Sequence, residues 1–228
     1  MNIGQPTLEQ KPFLTRQESL LLLSVALFGL AIVLVVAIYL LVSSSQGVPV
    51  EEALPVTEEP VQVMLDQAEP IVLETSGYTW VMAPRAEFTV AARVIGSQRY
   101  WDTQKSLSPL DLALGWGDIS NPEVDEWIQW SQSGRYVHRR VQDGSPYPLD
   151  YVNLHSANIH IIPSTDSLDS AIKRLDENDL VLLEGLLVDV TEASVGYVLT
   201  SLTRTDRGAG ACEILYVQRL VVDGREYR

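Results

Sequence analysis

Leu20–Val42 reads LLLLSVALFGLAIVLVVAIYLLV, 23 consecutive residues without a charge. A helix rises about 1.5 Å per residue and the hydrocarbon core of a bilayer is about 30 Å thick, so about 20 apolar residues suffice to cross it. A helix packed on a soluble core would keep a polar stripe, and none is present here. The stretch is read as a transmembrane helix, and the rest of the chain as what that helix carries.

The flanks set its direction. Lys11 and Arg16 precede it, and the next basic residue is Arg85; the following stretch is acidic, with Glu51, Glu52, Glu58, Glu59, Asp66 and Glu69. Basic residues near a helix end stay on the cytoplasmic side, whereas acidic ones weigh little. The expectation is residues 1–19 as a cytoplasmic tail and everything past residue 42 outside. The competing reading is a cleaved signal peptide. Its apolar region would normally be about 7–15 residues, shorter than this one, so an uncleaved anchor is favoured. Residues 43–70, with Pro49, Pro55 and Pro60 among glutamates, read as an extended acidic spacer.

The net charge of −14 argues against nucleic acid, since phosphate binding needs clustered Lys and Arg. Cys212 is the one cysteine, which excludes an internal disulfide and a cysteine-based zinc cage. Neither a metal nor a small-molecule cofactor is expected.

Residues 71–228 read as a β-rich α+β domain. Phe88, Val90, Ala92 and Val94 alternate with Thr89, Ala91, Arg93 and Ile95, the period of a strand. Ser108-Pro109-Leu110-Asp111 has the form of a helix start, with Gly115 and Gly117 as its stop. Asn121-Pro122-Glu123 reads as the start of a second short helix. Arg135–Val141, Tyr151–Ile162, Leu180–Val190, Tyr197–Thr203 and Cys212–Val222 read as strands. Ser167–Glu177 is an amphipathic helix, with Leu168, Ala171, Ile172 and Leu175 on one side. Gly185, inside an apolar strand, suggests a bulge or bend. Three strands, a helix and two strands is the order of an OB-like, partly open barrel. Leu107–Gln132 would then be a helical insertion between its first and second strands. An open antiparallel sheet with helices on one face is the alternative.

Ser108–Gly117 (SPLDLALGWG), Ser156–Pro163 (SANIHIIP) and Gly210–Glu213 (GACE) resemble blocks of an uncharacterised group of bacterial single-pass membrane proteins with an extracytoplasmic β-rich domain. The resemblance covers most of 78–222. It implies a protein of the bacterial inner membrane with a periplasmic or extracellular domain, and it transfers no activity and no site.

Two functions compete. One is a non-enzymatic binding or scaffold module with a protein partner in the envelope. Its contact residues would be Trp116, Trp127 and Trp130, since tryptophans anchor interfaces, together with Arg135 and Arg139 from the basic strand. The other is a hydrolase-like enzyme using Cys212 or His160 with Glu213 nearby. Convergence of the cysteine, a histidine and a carboxylate in a cleft favours the enzyme; their separation favours the module.

Overall fold

A computed structural model describes residues 16–44, 46–206 and 211–228. The tail expected over residues 1–19 lies, up to residue 15, outside the described residues, as does the glycine-rich loop 207–210. The chain divides into two compact units, at Ser44. The first contains one helix, α1 (Arg16–Ser44), of 29 residues. Its segment Leu20–Ile38 is long and apolar enough to cross a bilayer. That length and composition suit a membrane anchor or a signal sequence.

The second unit is a large mixed sheet with a few short helices. Its strands are β1 (Val48–Pro49), β2 (Val61–Met64), β3 (Ile71–Thr75), β4 (Tyr78–Arg99), β5 (Leu110–Gly115), β6 (Ile128–Ser133), β7 (Tyr136–Val141), β8 (Ser156–Pro163), β9 (Leu180–Glu192), β10 (Gly196–Val198), β11 (Glu213–Val222) and β12 (Arg225–Tyr227). Helices α2 (Leu149–Leu154) and α3 (Asp166–Ile172) flank β8. Five strands pair in a circuit: β4 with β5, β5 with β8, β8 with β11, β11 with β9, and β9 with β4. All these pairings are antiparallel except β8–β11.

Side-chain alternation fills the circuit. Phe88, Val90 and Val94 of β4 meet Leu110, Leu112 and Leu114 of β5 and Ile159 and Ile161 of β8 in one buried cluster. Leu183 and Leu187 of β9 and Leu215 and Val217 of β11 complete it, and α3 adds Leu168 and Ile172. Thr165 caps α3, its hydroxyl accepting from the Leu168 N–H at 3.2 Å. Gly185 is set by close approach: a Cβ there would stand 2.1 Å from the Tyr216 carbonyl oxygen. The irregularity falls across from it, in β11 between Val217 and Arg219.

Four sequence expectations change, the last of them in the stretch before residue 71. Leu110–Gly115 is a strand, although the residues before it have the form of a helix start. Its Leu110, Leu112 and Leu114 face one way and Asp111 and Ala113 the other, and pairing on both edges decides in favour of the strand. Tyr151–Leu154 belongs to α2, and the strand begins only at Ser156. The inserted segment therefore lies between β5 and β8, the second and third strands of the circuit. It holds 3₁₀ turns at Gly117–Ser120 and Pro122–Glu126 and the two-stranded ribbon β6–β7.

The stretch expected as a free spacer is part of the folded unit. β1 pairs with β12 and β2 with β4, while Val50, Leu54 and Val56 pack on Ala91, Leu182 and Val221. Pro49 is itself in β1, Pro55 lies between the packed Leu54 and Val56, and Pro60 directly precedes β2.

Candidate functional site

Register places the polar residues. In the β5–β8 pairing Asp111 stands opposite His160, and in the β8–β11 pairing His160 stands opposite Ile214. Cys212 precedes the first paired residue of β11 and so comes beside Asn158. These side chains alternate with the apolar ones that fill the circuit, so they share its outer surface.

Asp111 is fully buried at their centre. His160 Nδ1 stands 2.8 Å from Asp111 Oδ1, an ion-pair distance without the alignment of a straight hydrogen bond. Asn158 Nδ2 donates to Asp111 Oδ2 at 3.2 Å and points at Cys212 Sγ at 3.8 Å. Burial pushes the imidazole pKa down, but contacts with Asp111 and Cys212 outweigh it and raise His160 to about 9. The ring therefore holds its proton more tightly than a free histidine does.

The ribbon closes over this row. Ser133 and Tyr136 are joined by Gly134 and Arg135, both with positive φ, 57° and 65°. That is the turn whose twist matches a two-residue hairpin, and Arg135 adopts it without being glycine. Its guanidinium forks onto Asp102 at 2.9 and 2.8 Å and reaches Asp111 at 3.2 Å. Those hydrogen bonds hold the Asp102 carboxyl below the usual range. The Arg135 carbonyl accepts from Asn158 at 3.1 Å and from the Cys212 thiol at 3.7 Å. Arg135 also lies over the Tyr100 ring at 4.2 Å. The Tyr100 hydroxyl pKa is raised, first by burial and then by Asp111.

A cavity of about 250 Å³ opens between β7 and the segments leading into β11, lined among others by His138, Arg139, Asn158, Arg204, Cys212 and Glu213. Arg139 donates to the Ser156 hydroxyl at 2.8 Å and its carbonyl at 3.1 Å. Glu213 is 2% exposed and is paired through Oε1 with Arg204. Burial raises its carboxyl pKa against the pull of Arg204. Among the described residues its Oε2 has no hydrogen-bond partner.

The expected contact residues sit elsewhere than on an open face. Trp116 is 1% exposed, its Nε1 donating to Glu59 at 3.0 Å. Trp127 and Trp130 are half-buried and pack on a satellite cluster around Ile119, Val124 and Ile128. Arg135 and Arg139 are tied to the residues named above. The outer side of the ribbon belongs instead to Tyr136, His138 and Arg140, all exposed. Alternation within Arg135–Val141 was the signal that separates them from Val137 and Arg139. Asp111 and Asn158 were not among the expected site residues; each reads locally as a cap or a polar break in an apolar run.

Of the other histidines, His155 stacks on Tyr151 with ring centroids 3.9 Å apart and pairs with Glu59 at 3.0 Å. Among the described residues no three His, Cys, Asp or Glu side chains are arranged to hold a metal ion. No protein-family model, curated protein or solved structure matches the chain.

Proposed function

We propose that the chain is a membrane-anchored binding module of the bacterial cell envelope. In this reading α1 is an uncleaved inner-membrane anchor, the N-terminus is cytoplasmic and the β-rich unit lies outside. The five-strand circuit, with one parallel pair and α3 between its third and fourth strands in chain order, is read as an OB-like barrel. Barrels of this kind bind ligands across their outer strands and loops. The observation that carries the reading is the β6–β7 ribbon. It stands outside the circuit and turns Tyr136, His138 and Arg140 to solvent while its inner side is fixed on the barrel. In a chain of net charge −14, this aromatic and basic strip suits an acidic segment of an envelope protein.

A photo-crosslinking residue at position 136 or 138 of the full-length chain, irradiated in intact cells, should give a discrete adduct of higher mass. The same residue at Glu87, exposed on β4, should not. Absence of an adduct from either ribbon position refutes the contact face. Alkaline carbonate should leave the intact chain in the membrane pellet; its release would remove the anchor.

A further inference from the structure

Among the described residues β6 pairs only with β7, so its other edge is open. A groove of about 450 Å³ runs between that edge, the end of β4 and Glu177. Its size lies within the roughly 300–1,000 Å³ of small-molecule sites. None of Tyr136, His138 and Arg140 lines it, so it is separate from the exposed strip of the ribbon.

One wall is aromatic and held in place. Trp130 Nε1 donates to Asp125 Oδ1 at 2.8 Å. Asp125 in turn accepts from both terminal nitrogens of the buried Arg93, at 2.8 and 3.0 Å. The indole is therefore fixed before a ligand arrives, which lowers the ordering cost of binding. Ile128 and Val137 add apolar surface beside it. The remaining lining can bond hydroxyls. The Asp125 side chain is 40% exposed. Gln98 spends its Nε2 on the Arg99 carbonyl at 2.9 Å and keeps its Oε1 as an acceptor. Gln129 and Glu177 are exposed, and their side chains have no hydrogen bond among the described residues.

No lysine or arginine lines the groove. A phosphate or an acid sugar would meet the carboxylates of Asp125 and Glu177 with no counter-charge. A neutral sugar meets neither penalty. Its C–H face lies on an indole, and its hydroxyls donate to carboxylates and both donate to and accept from amides.

We propose that this groove binds a neutral saccharide, with Trp130 as the stacking platform and Asp125, Gln129 and Glu177 as hydroxyl partners. The inference does not depend on the partner contact of the ribbon.

The test is calorimetric titration of the full-length chain, in a sugar-free detergent, with chitotriose, maltotriose and cellotriose. Trigalacturonate is the charged control. The expected result is saturable binding of at least one neutral probe and none of trigalacturonate. Trp130→Ala should weaken that binding about tenfold, the weight of one aromatic anchor. Trp101→Ala, at an exposed tryptophan outside the groove, should leave it unchanged. Gln129→Ala removes one hydroxyl partner from an exposed position and should weaken binding about threefold; it decides the matter if Trp130→Ala unfolds. Absence of saturable binding by all three neutral probes overturns the proposal. So does wild-type affinity in a folded Trp130→Ala or Gln129→Ala chain, or a preference for trigalacturonate. A crosslink from position 136 or 138 without sugar binding removes this inference and leaves the partner contact standing.

Discussion

Raising the pH from 6.5 to 9 should strip a defined amount of stability from the β-rich unit. His160 binds its proton with a pKa of about 9 in the folded chain, against 6.5 for an unconstrained histidine. Between these values the unfolded chain has lost the proton and the folded chain keeps it, so folding takes one up. Stability then falls as pH rises, by about 1.4 kcal/mol per pH unit for one proton. The difference of 2.5 units corresponds to about 3 kcal/mol, fully present below pH 6.5 and lost above pH 9. Only 17% of the His160 side chain is exposed, so solvent screening takes little from that figure. The assay is urea unfolding of the full-length chain in detergent, followed by tryptophan fluorescence at pH 6, 7.5 and 9.5. All five tryptophans lie past α1. Replacing His160 by Gln should flatten the slope by that amount. Parallel pH dependence in wild type and variant would refute the assignment of the imidazolium to the Asp111 contact.

Three further outcomes follow from packing. Gly185→Ala places a Cβ against the Tyr216 backbone, which cannot rotate away, and should cost about 3 kcal/mol in thermal or urea unfolding. Thr165→Ala removes the cap of α3 and should cost about 1 kcal/mol, with Thr165→Ser close to neutral in the same unfolding assay. Arg93 is 2% exposed and bonds Asp125, Asn178 and the Ile119 carbonyl. Arg93→Leu should cost about 2 kcal/mol, mostly from the orphaned carbonyl, since Asp125 keeps its solvent; circular dichroism melts measure it.

The sequence made the strands with clean alternation readable. Phe88–Ile95 and Leu180–Val190 are inside β4 and β9, and the apolar stripe of Leu168, Ala171 and Ile172 is the buried side of α3. Ser108–Asp111 misled because a cap and a proline are compatible with a turn into a strand, and six residues are too few to separate the two periods. Leu110, Ala113 and Leu114 satisfy helical spacing, while Leu110, Leu112 and Leu114 satisfy the strand. The spacer misled because proline and glutamate say that a segment is not regular, not that it is detached. The candidate site was half legible. Cys212, His160 and Glu213 were singled out by residue type, but Asp111 reaches His160 only through β5–β8 register. Cys212 comes close only through the parallel β8–β11 pairing. Periodicity carries no record of which strand a given strand pairs with.

The order in which the circuit is completed bears on biogenesis. β11 sits between β8 and β9, and β12 then joins the entry strand β1. The strand that shuts the circuit is thus made after its four other strands, whose apolar sides have no complete core until it arrives. The circuit therefore cannot close before β11 has left the ribosome. A stop codon before Glu213 should leave an exposed half-circuit for proteolysis, rather than a smaller stable domain.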